Sequence, residues 1–271
     1  VPRVHHNYKE TSDDKADWDR LMNAIANGIS SGEMTKVVSS REVEFTSETP
    51  YNVASILANL VDNNPNCFIF GYEKDGRTFV GASPEILVRH RGSEILSYAL
   101  AGTAPKDGPN GWTKEQLLTN TKNIVEHNIV RDRIVNTMKQ ITPHVMVGET
   151  GIMELSHLYH LRTIITAKDS TKSLVEWAKL LHPTPALGGE PREKALALLQ
   201  EYESHERGMY AAPFGFMKDM GDGIVVVAIR SALIMDNVLY AYAGCGVVAD
   251  SDAYEEYAET NNKMRTILDA L

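Results

Sequence analysis

Residues 223–248, "GIVVVAIRSALIMDNVLYAYAGCGVV", form the most apolar stretch of the chain, and their reading decides the fold. Arg230 and Asp236 interrupt the run. A bilayer span needs about 20 consecutive apolar residues, so this is not one. The density of Val, Ile and Tyr around Met235–Asp236–Asn237 reads instead as two β-strands joined by a tight turn.

The same signal recurs upstream. "CFIFGYEKDGRTFVGAS" is a hairpin with Asp75-Gly76 in its turn, and "EILVRHRGSEILSYAL" repeats the arrangement around Gly92. "TKVVSSREVEF" is extended and β-rich. Strands this close in sequence imply a substantial sheet with antiparallel pairs. Helical periodicity covers residues 14–31, with Trp18, Met22, Ile25 and Ile29 on one side and Gly32 as the stop. "YNVASILANLVDNN" is a second helix, and a long third runs from a Thr113 cap to the break at Pro143. "TKSLVEWAKLL" and "EPREKALALLQEYESH" are two more, the latter with Pro191 early in it. Between them "HPTPALGG" is too rich in Pro and Gly for a regular element. A helix closes the chain. Without repeats, low-complexity tracts or linkers, the 271 residues read as one intertwined α+β unit.

Composition narrows the function. A formal charge of −9 argues against a non-specific nucleic-acid binder, which needs a basic footprint. It leaves room for a small anionic substrate, because a local site can be positive on an acidic protein. Two cysteines, Cys67 and Cys245, make no disulfide framework, and the simple reading is the reducing cytoplasm. The chain starts without a signal-peptide apolar region, and no membrane association is expected.

The closing helix carries the most pointed question. Tyr254, Tyr257, Met264, Leu268 and Leu271 fall on one stripe, which should pack. Glu256, Glu259 and Lys263 share the opposite face, with Glu255 beside them. Such a run is ordinarily a solvated face; a Mg²⁺ site would use one or two of its carboxylates together with an anionic substrate group. Glu126, beside the apolar stripe of "KNIVEHNIV", is a candidate partner, unless it only pairs with Lys122. His127 reads as a core or supporting imidazole rather than a ligand. Lys36 in a β-rich run is usually an edge-strand solubiliser. Glu85, between Pro84 and an apolar strand, is ordinarily a strand-start charge.

Nine segments in matching order, spread from 35 to 263, resemble the motifs of the chorismate-utilising enzymes: "TKVVSSRE", "FVGASPEILV", "LAGTAP", "KNIVEH", "HPTPALGGEP", "ERGMYAAPFGF", "VVAIRSALI", "YAGCGVVADS" and "YAETNNK". The resemblance implies an anthranilate-synthase-like α+β fold, with large, mostly antiparallel sheets flanked by helices. It covers the C-terminal, chorismate-binding part of that fold, so residues 1–271 are expected to be one catalytic domain lacking an upstream portion of full-length members.

By the same resemblance, Lys36 is the general base and Glu85 the general acid. Glu126 and Glu259 hold Mg²⁺, with Glu256 as a direct or water-mediated ligand. Arg230 and Lys263 face substrate carboxylates, and Gly244 and Gly246 offer backbone N–H groups. Gly102 and Thr103 lie beside the C4 side of the ring, and His160 is a pocket histidine. The base must be partly neutral and the acid protonated, which burial and neighbouring charges can arrange. Within the family the chain is most similar to the isochorismate synthases. Lys36 stands where anthranilate synthases carry glutamine, and "HPTPALGG" differs from the corresponding loops of aminodeoxychorismate and salicylate synthases. Salicylate formation, through pyruvate elimination from isochorismate, is the alternative activity. An inactive chorismate-binding fragment is the alternative of another class. The resemblance further implies a monomer without an amidotransferase subunit.

Overall fold

The computed structural model describes residues 1–271. The chain begins with β1 (Tyr8–Glu10), α1 (Lys15–Ser30), β2 (Lys36–Ser47) and α2 (Val53–Asn63). Trp18, Leu21, Met22 and Ile25 give α1 its buried face, and Gly32, at φ +78°, turns the chain out of it. The hairpin of β3 (Phe68–Lys74) and β4 (Arg77–Ser83) turns at Asp75 and Gly76, both with positive φ, the backbone a tight two-residue turn demands. A second hairpin joins β5 (Ile86–Arg91) to β6 (Glu94–Pro105).

The expected long helix is two. α3 (Lys114–Thr119) opens on a capping box between Thr113 and Gln116. Asn120 then leaves helical geometry, and its side chain caps α4 (Thr121–Lys139) at Asn123 N. Strands β7 (Val145–Val147), β8 (Gly151–Glu154) and β9 (Leu158–Lys168) follow, then α5 (Leu174–Leu181), β10 (Gly189–Glu190) and α6 (Arg192–Tyr202). The chain closes with β11 (Pro213–Met217), β12 (Gly223–Val227), β13 (Ser231–Met235), β14 (Val238–Val247) and α7 (Ala253–Leu268). No helix is long and apolar enough to cross a membrane.

The strands build two seven-stranded sheets in which every pairing is antiparallel, matching the expected α+β class. The first runs β1-β2-β14-β13-β4-β3, with β10 also on β2; the second runs β11-β12-β5-β6-β9-β7, with β8 also on β9. The opening stretch 223–248 therefore holds three strands, not two. β12 lies in the second sheet and β13 in the first, and the chain crosses between them at Ala228–Arg230, with Arg230 at φ +53°. A second crossing, from β4 to β5, runs through Pro84 and Glu85. The crossings lie together: Ala82 N donates to Arg230 O, and Val227 N donates to Glu85 O.

Strand alternation sorts the remaining chemistry. Val37, Val43 and Phe45 of β2, with Leu239, Ala241 and Cys245 of β14, enter cores beneath α1, α2, α6 and α7. Each fully buried large apolar side chain contributes about 1.5–3 kcal/mol. The alternate residues, Lys36, Val38, Gly244 and Gly246, face the side where the second sheet lies.

Of the apolar stripe expected to pack, Tyr257, Met264, Leu268 and Leu271 reach the cores, and Glu256 and Lys263 of the charged face are buried as well. Tyr254 is 80% exposed, whereas Glu256 is 1% exposed; α7 buries Glu256, Thr260, Lys263, Met264 and Ile267. Within the charged stripe Glu256 turns inward to Lys122 of α4, and Glu259 pairs with Lys263 along the helix.

Candidate active site

At the paired crossings, between the sheets and the helices α4 and α7, lies a small cavity of about 50 Å³. Eight expected site residues line it: Glu85, Thr103, Glu126, His160, Arg230, Gly244, Gly246 and Lys263. Gly102, Lys36, Glu256 and Glu259 do not line it. Wider grooves elsewhere, such as the one between Tyr72, Arg77 and Met209, gather no comparable set of buried charges.

A hydrogen-bonded chain fixes the proton positions on one wall. Arg230 can only donate, so its Nη2 gives a hydrogen to His160 Nε2 at 2.8 Å. His160 Nδ1 then carries the ring proton and donates to Thr103 Oγ1 at 3.0 Å. Burial, with Arg230 and Lys263 nearby, holds His160 well below its ordinary pKa, so the ring is neutral. Thr103 is left with its own hydroxyl proton to donate. Arg230 Nε is buried without a partner, a donor awaiting an acceptor.

Glu85 hangs at the other crossing, its N–H held by Ser83 Oγ at 3.2 Å. Burial pushes its carboxyl up to about 7, against the opposing pull of Arg230, Lys36 and Lys263. Near neutral pH it therefore exists in both protonation states.

Lys36 is no edge-strand solubiliser: it is fully buried, with Nζ 3.1 Å from Glu126 Oε1. The contact is not aligned as a hydrogen bond. Burial alone would raise Glu126, but Lys36, Lys122 and Lys263 together hold it below its ordinary range. This pair explains Gly246. A Cβ there would sit 2.0 Å from Glu126 Oε1 and 2.6 Å from Lys36 Cε, so only glycine lets the two side chains cross β14. Gly246→Ala is expected to keep its fold, with a loss of about 1–3 kcal/mol from overpacking, while displacing the pair. The check compares thermal midpoint with turnover: a drop in turnover no larger than the stability loss implies would remove this role. The Gly244 carbonyl accepts from Lys263 Nζ at 2.8 Å.

The three expected cation ligands are brought near one another but not onto one point. Glu126 faces Lys36, Glu259 accepts from Lys263 Nζ at 2.6 Å, and Glu256 pairs with Lys122. Lys122 therefore does not serve as the helical partner of Glu126. No three acidic, histidine or cysteine side chains converge. The donors nevertheless suit a hard cation: all are carboxylate oxygens, and Glu256 Oε2 is buried without a partner. Burial, then the neighbouring Glu259 and Glu126, pushes Glu256 up to about 7 even with Lys122 opposing. A cation here would compete with the lysines for the same oxygens.

The sequence reading missed several wall residues, among them Val38, Leu100, Tyr210 and Ile229. The Pro/Gly loop enters through Ala186 and Leu187. Arg207 holds that loop to β2, donating to Leu187 O at 2.7 Å and Val38 O at 2.8 Å while Glu203 neutralises it. His127 is a supporting imidazole as expected, bonded to Ala101 O and Thr163.

Comparison with known proteins places this cavity in a lineage. The family model for chorismate binding enzymes matches residues 2–271. The chain is 36% identical to isochorismate synthase MenF of Bacillus subtilis, over 95% of this chain and 56% of that protein. It is 32% identical to the salicylate biosynthesis isochorismate synthase of Pseudomonas aeruginosa, over 96% of this chain and 56% of that protein. The chain thus spans little more than half the length of these relatives. Among solved structures, DhbC from Bacillus anthracis superposes with a TM-score of 0.91 at 29% identity, covering 100% of this chain and 76% of that one. MenF, the menaquinone-specific isochorismate synthase from Escherichia coli, superposes with a TM-score of 0.88 at 30% identity, covering 99% and 64%. The chain belongs to the chorismate binding enzyme family.

Proposed function

We propose that residues 1–271 act as one catalytic unit that converts chorismate reversibly to isochorismate. The observation that carries the reading is the unpaired cation in the cavity wall. Lys263 is paired with Glu259 and Lys36 with Glu126, whereas Arg230 keeps a buried N–H without a partner, and Glu85 is half protonated near pH 7. A buried free donor of this kind favours a carboxylate, and chorismate carries two. The named activities of the relatives support the same substrate.

In this reading Lys36 takes a proton from a water that attacks ring C2. Glu85 gives a proton to the departing C4 hydroxyl while the double bond migrates, so one water enters as another leaves. Lys36 Nζ has to turn from Glu126 toward the cavity to serve. Arg230 grips a carboxylate, for which its planar fork is suited. Thr103 donates its hydroxyl hydrogen to an oxygen on the ring. Glu126 and Glu259, with Glu256, would hold Mg²⁺, which when bound supplies positive charge to neutralise a substrate carboxylate among three protein ones. Water chemistry needs no ammonia-delivering partner subunit.

The test is chromatographic product analysis after incubation with chorismate, with and without Mg²⁺. Isochorismate formed only with Mg²⁺, and reaching a mixture rather than completion, is the expected result. Salicylate with pyruvate would reassign the reaction, and absence of any turnover would remove the proposed activity from this chain.

A further inference from the structure

β6 carries one extra residue where it meets the cavity. Leu100 pairs with Arg162 and Thr103 with His160, so Ala101 and Gly102 together oppose Leu161. Gly102 sits at φ +82°, and a Cβ there would lie 3.0 Å from Asn123 O, so the position favours glycine. A bulge takes ladder partners away from its own peptides, and α4 replaces both. His127 Nδ1 lies 3.0 Å from Ala101 O, which can only accept, so Nδ1 carries the proton and Nε2 accepts from Thr163 Oγ1 at 2.7 Å. One turn earlier, Asn123 Oδ1 accepts from Thr103 N at 3.0 Å. Its amide is kept that way round because Nδ2 donates to Asn120 Oδ1 at 2.9 Å. Both side chains are buried.

We infer that Asn123 and His127 are positioning residues, a two-point clamp that fixes the bulge at 101–103 so that the Thr103 hydroxyl points into the cavity as a hydrogen-bond donor. As a statement about turnover, this rests on the proposed reaction. As a statement about the bulge, it stands without substrate. The spacing is what a helix provides: residues four apart share one face, and Glu126 stands between them, so one helical turn sets both the carboxylate and the hydroxyl. A slip of the bulge would carry Thr103 away from His160 while leaving most of the β6–β9 ladder intact.

The test uses the whole chain with Asn123→Leu, which removes the acceptor, and Asn123→Asp, which keeps it. If the leucine variant does not fold, Asn123→Ala reads the same loss. Without ligand, amide exchange at Thr103 should be about 10- to 100-fold faster in Asn123→Leu, and nearly unchanged in Asn123→Asp. With chorismate, Asn123→Leu should lower kcat by about tenfold or more with little change in KM. In a Thr103→Val background, the same substitution should cost under about threefold, because the effect runs through that hydroxyl. Equal protection of Thr103 in parent and Asn123→Leu overturns the clamp. Equal losses in both backgrounds reduce Asn123 to a structural residue. If the parent chain does not turn over chorismate but Thr103 exchange responds as stated, the clamp stands and the proposed reaction falls.

Discussion

Lys36→Met is expected to slow chorismate turnover by about 10³-fold, the middle of the range for removing a general base. It also strands a charge. Lys36 and Glu126 are both buried, and removing one partner of a buried pair costs about 3–5 kcal/mol. Lys122 and Lys263 still act on Glu126, which puts the loss at the lower end. The thermal midpoint should fall by on the order of 10 °C. Adding Glu126→Gln removes the stranded carboxylate, so the double variant should recover most of the stability and none of the turnover. Near-parental turnover in folded Lys36→Met would remove the lysine from the mechanism.

Glu85→Gln should have a comparable effect on rate, about 10²- to 10⁴-fold, because the amide cannot give up a proton. The pH dependence is more telling. The parent's turnover should decline as pH rises through about 7, as the acid form of Glu85 is lost. Stability should follow in the same direction. Below the ordinary value of 4.5, folded and unfolded chains both hold the proton and the contribution is complete. Above it the unfolded chain releases its proton first, and the contribution is lost as pH rises through about 7. The span corresponds to about 3 kcal/mol. Glu85→Gln should flatten that part of the curve in denaturant titrations between pH 4 and 8. A variant that keeps the parental slope would show that another group is responsible.

What could be read from the sequence follows the range of the interactions involved. The Asp75-Gly76 hairpin was legible because its turn is decided by two adjacent residues. The break at Asn120 left a local signal that went unused, an Asn three residues before the Asn123 amide it caps. Arg230 stands out in the sequence as a charge inside an apolar run. Nothing local announces that a non-glycine residue there takes a positive φ and carries the chain from one sheet to the other. The packing stripe of α7 is legible in its own apolar residues, all but Tyr254 of which reach the cores. The burial of Glu256 is not, because it depends on Lys122, far away in sequence. The same holds for Lys36, whose burial follows from Glu126 and from β14 beside it. Between Pro143 and Thr171 local pattern names no element, yet β9 there supplies His160 and the partner strand of the bulge. The motifs thus drew eight residues to one cavity, while the local pattern alone gave little of how the chain brings them there.

The insertion of β14 between β2 and β13 also orders events during synthesis. Roughly 190 residues separate β2 from β14, so at about 5–20 residues per second β2 waits some 10–40 s for its neighbour. Throughout that interval the strand bearing Lys36 shows an open edge, and Glu126 has no β14 backbone to lie across. The nascent chain finishes β12 of the second sheet only about 1–4 s before β14 is complete, so the Lys36–Glu126 pair follows closely on that sheet. Contacts this distant in sequence make for slow folding, so the Lys36–Glu126 pair is among the last parts of the molecule to form.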